Sequence, residues 1–187
     1  MNSTAFLIGE KIYLRKLRDE DINESYLAWL NDPIVLEYRE SSSRIYPTSM
    51  DDLRSWYEKF KKGSDLHFAI CLRDSDKHVG NLSLDNILWI HRRAALNILL
   101  GDRSVWGKGH GTEAVKLLTR HAFLNMGLRQ VWAESPNPGF NKIVRKLGWI
   151  KEGVKREAFL HHGRFIDYEC HSILFDEWMK LNANEKR

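Results

Sequence analysis

The chain has little that would let anything but its own core hold it together. Among its 187 residues there are two cysteines, Cys71 and Cys170, far apart and outside any Cys-x-x-Cys pair. Neither a disulfide framework nor a zinc ribbon is therefore expected, and both thiols read as reduced and structural. No apolar run approaches the roughly 20 residues that a membrane-spanning helix needs. The first residues, Met1 to Phe6, lack the charged and apolar regions of a secretory signal, so a cytoplasmic location is expected. There is no internal repeat, low-complexity stretch or linker. One domain over residues 1–187 is expected, with only residues 182–187 reading as a frayed tail. A strong charge of one sign is missing too. The formal net charge is +4, with acids and bases interleaved along the chain. That balance excludes a dedicated nucleic-acid binder but suits an anionic ligand. The hydrophobic fraction of 43% is that of an ordinary globular protein with a sizeable core.

What is present is a sequence of clear periodicities. Residues 11–17 alternate as a strand, with Ile12, Leu14 and Leu17 on its apolar side. Asp19 stands as an N-cap before a helical stripe of Tyr26, Leu27, Trp29 and Leu30 that stops before Pro33. A second helix is expected over 51–62, then strands over 67–73, 78–85 and 93–100 as an antiparallel meander. A long helix over 109–126, a short strand over 130–133 and a short helix over 141–147 follow. Two paired strands, 149–156 and 165–174, close the chain. The strand–helix–strand unit 93–133 should be a parallel crossover. The order predicts an α/β fold: a mixed, mostly antiparallel central sheet with helices on both faces.

The informative stretch joins the third meander strand to the long helix: Trp106, Gly107, Lys108, Gly109, His110, Gly111, Thr112. Glycines at alternate positions permit positive φ and let a ligand approach bare backbone. Inward-turned amides followed by a helix N-terminus make an anion site for a diphosphate. Gly-Lys-Ser/Thr is absent, so this is not a Walker loop. The segment from Gly109 to Ala114 fits G-x-G-x-x-A, with Glu134 placed as a ribose-binding acid would be. A dinucleotide site on that basis meets an over-long strand–glycine connection and a meander in place of strand–helix repeats. A loop that merely turns the chain is the bland alternative.

The same residues resemble the pyrophosphate loop of the GNAT superfamily of acyl-CoA N-acyltransferases, Gln/Arg-x-x-Gly-x-Gly/Ala, with Trp106 in the first position. The Trp-Gly-Lys-Gly form, Asn137 followed by Arg145-Lys146-Leu147-Gly148-Trp149, and Glu152-Gly153 with Gly163 and Asp167 resemble the RimJ/RimL-type ribosomal-protein N-acetyltransferases. The resemblance implies acetyl-CoA as co-substrate. Its pyrophosphate would lie on Gly107, Lys108, Gly109, His110, Gly111 and Thr112, its pantetheine along the main chain of Ile98, Leu99 and Leu100, with Asn137 as a further contact. Asn137 also reads as a plain Asn-Pro turn.

An alkyl amine of pKa about 10 must lose a proton before it attacks the thioester. Glu134 at a strand end is the leading candidate base, His91 before the central strand is a second, and Asn97 would orient an acceptor or water. The family's usual proton donors to the departing thiolate fall on Val144 and Phe140, which cannot donate, and the acid often found on the central strand is Ala95. A catalytically inactive acyl-CoA-binding module is thus the alternative to an enzyme, and a nucleotide-dependent oxidoreductase a weaker one. Acceptors implied are a protein N-terminus, a polyamine (His91-Arg92-Arg93 resembles spermidine acetyltransferases) or an amino sugar, with the protein a monomer or homodimer. No metal site is expected: adjacent side chains such as His161 and His162 point in different directions and rarely share one ion.

Overall fold

The computed structural model describes residues 4–183, so the end of the expected tail lies outside the described residues. Eight strands form one sheet in the order β1-β2-β3-β4-β5-β6-β8-β7. They are β1 (Leu7–Ile8), β2 (Ile12–Lys16), β3 (Leu66–Leu72), β4 (His78–Leu88), β5 (Arg93–Leu100), β6 (Gln130–Ser135), β7 (Ile150–His161) and β8 (Arg164–Leu174). All neighbours are antiparallel except β5 and β6, which are parallel, as the crossover pattern required. Helices α1 (Glu24–Asn31) and α2 (Met50–Lys61) cover one face. Helices α3 (His110–Leu124), α4 (Pro138–Lys146) and α5 (Phe175–Leu181) cover the other.

Period-two patterning explains the layers. On β2, Ile12 and Leu14 pack beneath α3, while Tyr13 between them packs beneath α1 and α2, and all three are buried. A strand covered on both faces reads as a continuous apolar run. Helix α2 is closed by a capping box in which Ser49 Oγ accepts from the Asp52 amide at 3.1 Å and Asp52 accepts from Ser49 N at 2.9 Å.

Several boundaries differ from expectation, each for a local reason. Asp19 is not the cap of α1. Residues Asp19–Asp21 make one 3₁₀ turn, because Asp21 is drawn into a bidentate pair with Arg15 at 2.6 and 2.7 Å, and Asn23 caps α1 instead. The short helix starts three residues earlier than expected, at Pro138, a residue whose fixed φ suits the first helical turn. The last two strands run longer and meet in a two-residue turn, His162-Gly163, with φ of 46° and 76°. Positive φ at both positions is the turn that matches strand twist. Strand β1 and helix α5 were not anticipated; α5 buries Trp178 beside Phe123.

Candidate functional site

Strands β5 and β6 are paired only from Arg93↔Gln130 to Ala95↔Trp132. Beyond that point β5 continues to Leu100, still in register with β4, while β6 runs on to Ser135. The two strands separate, and the main chain of β5 loses a partner on that side. A cavity of about 750 Å³ occupies the region. Its walls come from the C-terminal half of β5, the 105–112 loop, the end of β6, α4, the 34–40 segment after α1, and Tyr168 of β8.

The glycine loop lies at one end of the cavity. Gly107 and Gly109 have φ of 73° and 91°, conformations that side chains resist. A Cβ at Gly107 would meet nothing within 4 Å, and one at Gly109 only Lys11 Nζ at 3.7 Å, so both backbones lie against open space. Gly109 is the N-cap of α3, whose first amides are unpaired by construction. Gly111 has another role: a Cβ there would press on Leu100 Cδ1 at 3.0 Å and Ile143 Cδ1 at 3.3 Å, so it lets α3 pack on β5 and α4. Trp106 ties the loop to the strand end, its Nε1 donating to the Leu100 carbonyl at 2.9 Å. The acid in the first turn, Glu113, turns away and accepts from the amides of Glu10 and Lys11. It therefore puts no negative charge into the anion site.

Of the residues read as cofactor contacts, Ile98, Leu99, Leu100, Gly107, Gly109, His110, Gly111, Thr112 and Asn137 line the cavity. Lys108 does not: it is exposed, and its carbonyl accepts from Lys11 Nζ at 2.9 Å. Asn137 serves mainly as a helix cap, its Oδ1 accepting from Gly139 N at 2.8 Å and Phe140 N at 3.3 Å, which leaves only Nδ2 for a ligand.

Of the candidate catalytic residues, Glu134 and Asn97 line the cavity and His91 does not. His91 sits exposed in the β4–β5 turn, before β5 begins, while the cavity lies along that strand's far half. The basic turn that carries it is tied down locally, with Arg92 Nε donating to the Gly127 carbonyl at 2.7 Å. Glu134 is ion-paired with Lys155, whose pKa that carboxylate raises. Asn97 Nδ2 donates to Asp85 Oδ2 at 2.7 Å, Ser83 Oγ donates to the same oxygen at 2.9 Å, and His67 Nε2 is 3.3 Å from Asp85 Oδ1. This network fixes the Asn97 amide and leaves its Oδ1 to accept from a ligand. Val144 is fully buried in the core and absent from the cavity wall, whereas Phe140 is part of it.

The fold adds residues that sequence reasoning missed. Tyr168 presents a hydroxyl to the cavity, donating to Glu40 Oε2 at 3.3 Å. Desolvation, with Glu40 and Glu134 nearby, pushes its pKa up to about 12, so it keeps its proton at neutral pH. Glu37 and Arg39 enter from the 34–40 segment. Desolvation lowers the Arg39 pKa against the opposing pull of Tyr26 and Asp85. No periodicity marks these positions.

The parallel pair thus splays apart with a glycine-capped helix at its mouth, and the chain is similar to the following known proteins. The family model described as acetyltransferase (GNAT) domain matches residues 11–150. The uncharacterized N-acetyltransferase p20 of Bacillus licheniformis is 29% identical over 175 residues, covering 92% of this chain and 97% of p20. The uncharacterized N-acetyltransferase YoaA of Bacillus subtilis (strain 168) is 21% identical over 167 residues, covering 88% and 94%. The crystal structure of spermidine N-acetyltransferase from Vibrio cholerae in complex with CoA and spermine shares the fold, with a TM-score of 0.80 at 22% identity, covering 91% of this chain and 99% of that one.

The chain belongs to the GNAT acetyltransferase family. It is an acetyl-CoA-dependent N-acyltransferase, with acetyl-CoA as co-substrate rather than resident cofactor. Among the described residues no helix is long and apolar enough to cross a membrane.

Proposed function

We propose that this enzyme acetylates a cationic primary amine, a polyamine or a protein N-terminus, by direct attack on the thioester. The observation that supports this most is the distribution of charge around the cavity. Lys142 and Lys146 of α4 stand with the glycine-capped start of α3, and Glu37, Glu40 and Glu134 line the remaining wall with Tyr168, outnumbering its one cation, Arg39. The cationic side, with its unpaired helix amides, suits a diphosphate on Gly107, Gly109, His110, Gly111 and Thr112. The pantetheine arm lies along the main chain of Ile98, Leu99 and Leu100, where Arg39 Nη1 donates to the Ile98 carbonyl and Trp106 Nε1 to the Leu100 carbonyl, and Nδ2 of Asn137 contacts it. The acidic side suits a positively charged acceptor and repels an anionic sugar nucleotide.

In this reading Glu134 takes the amine proton through water, Lys155 holding its carboxylate in place, and Asn97 Oδ1 orients the attacking nitrogen. The collapsing intermediate expels the thiolate, and Tyr168, protonated at neutral pH, supplies its proton in the place of the absent donors at Val144 and Phe140. The Trp-Gly-Lys-Gly loop supports the RimJ/RimL-type subgroup and hence an N-terminal amine. The shared fold with spermidine N-acetyltransferase makes spermidine the first small acceptor to assay.

The experiment is CoA release measured with spermidine, N-terminal peptides and a nucleotide-linked amino sugar. Turnover on the first or second, and none on the third, is expected. Preference for the sugar nucleotide would refute the charge argument. Acetyl-CoA binding with no turnover on any amine would make the chain a binding module.

A further inference from the structure

Two consecutive histidines, His161 at the end of β7 and His162 in the turn that follows, have side chains that meet. Neighbours on a regular strand point to opposite faces. His162 breaks that alternation, because its φ of 46° turns the chain back, and its ring lies 4.3 Å from that of His161. The expectation that the two imidazoles diverge is thus corrected by a single backbone angle. Both face one oxygen: His161 Nε2 is 3.2 Å and His162 Nε2 3.6 Å from Glu37 Oε1. Tyr38 stacks on His161 at 4.8 Å between ring centroids and fixes its plane.

These separations are those of ligands around one small cation. Nitrogen and oxygen ligands sit roughly 2.0–2.2 Å from zinc, so two of them at a tetrahedral angle are about 3.4 Å apart. The observed 3.2 and 3.6 Å bracket that value. A hydrogen bond accounts for the first distance but not for the second at the same oxygen. Arg44, the nearby cation, is engaged elsewhere: its Nη2 donates to the Leu160 carbonyl at 2.8 Å and its guanidinium lies over the Phe159 ring. A second carboxylate–histidine group, Asp65, His67 and Asp85, is the weaker candidate. It has one imidazole, Asp85 Oδ2 already receives Ser83 and Asn97, and Asp65 Oδ1 receives the Asn86 amide.

We infer that Glu37, His161 and His162 form a binding site for a zinc-type divalent transition metal ion, with water completing the coordination. Two imidazoles and one carboxylate favour zinc, nickel or cobalt over magnesium or calcium. The site joins the 34–40 segment, which lines the acceptor side of the cavity, to the tip of the β7–β8 hairpin. A bound ion would clamp that wall and withdraw Glu37 from the pocket.

The test is calorimetric titration of the chelator-treated full chain with zinc chloride, alongside visible spectra with cobalt(II). One ion per chain at micromolar zinc and a tetrahedral cobalt spectrum are expected, with a rise in melting temperature on zinc addition. Glu37→Gln, His161→Gln and His162→Asn should each weaken binding by about tenfold or more, whereas His67→Asn should not. His162→Asn keeps the test sound if another variant misfolds, because the His162 side chain is 77% exposed and Asn tolerates positive φ. Absence of binding in the parent, unchanged affinity in His162→Asn, or loss of binding in His67→Asn alone would overturn the site.

Discussion

Gly109→Val separates the anion site from the fold that carries it. Gly109 has φ 91° and ψ −5° at the N-cap of α3. Holding an L-residue in left-handed backbone costs about 1–2 kcal/mol, more for a β-branched one. A domain stable by roughly 5–15 kcal/mol survives that. Packing adds no further penalty at the first side-chain atom, since the nearest heavy atom to a Cβ is Lys11 Nζ at 3.7 Å. Gly111→Val would be a poorer probe, because its Cβ presses on Leu100 and Ile143 and unfolding would be confused with lost binding. At Gly109 the isopropyl group instead occupies cavity space beside the α3 amides. Losing one charge-assisted hydrogen bond to a phosphate oxygen is worth about 1.5–3 kcal/mol, or roughly 10- to 150-fold in Kd. Isothermal titration with CoA, paired with a melting curve, reads both quantities. A folded Gly109→Val protein whose Kd stays within about twofold of the parent would refute the assignment of the pyrophosphate to this loop.

Four further outcomes are expected. Cys71→Ala with Cys170→Ala should retain turnover, since burial raises both thiol pKa values and suppresses thiolate; covalent acetylation of the chain by acetyl-CoA alone, seen by intact mass, would contradict direct transfer. Tyr168→Phe should lower kcat by about tenfold or more with little change in CoA affinity; an unchanged kcat would leave water as the proton source. Val144→Tyr should not raise kcat, because Val144 is fully buried and a ring there overpacks the core by about 1–3 kcal/mol; a faster enzyme would show that position 144 reaches the thiolate. Desolvation pushes the Asp21 carboxyl up, but Arg15, the Arg18 amide and His78 outweigh it, so its pKa lies below the ordinary 3.8. Its contribution to stability is therefore complete above about 3.8 and lost as pH falls through the lowered value. Asp21→Asn should cost about 3–5 kcal/mol by stranding Arg15 and should flatten the acid limb of the stability curve, as urea melts across pH would show.

Sequence alone determined the features governed by local chemistry. Apolar runs between turn residues located β2 to β5, helical spacing with a cap fixed α2, and the strand–helix–strand order fixed the one parallel pair, because each depends on residues a few positions apart or on a single chain crossover. The glycines at 107 and 109 announced positive φ, and the structure has it at both. Tertiary structure decided what meets what. Where β5 and β6 part is a matter of register, which no local pattern encodes. Val144 faces the core and His91 lies before the start of β5, at the end away from the cavity, although both stood near candidate motifs. Tyr168 meets Glu40 across 128 positions and His161 meets Glu37 across 124, pairings that exist only because the sheet order brings β8 and the β7–β8 turn beside the 34–40 segment. Backbone periodicity is short-ranged and written along the chain; side-chain convergence depends on long-range strand order and on single backbone angles, and appears only once the sheet has closed.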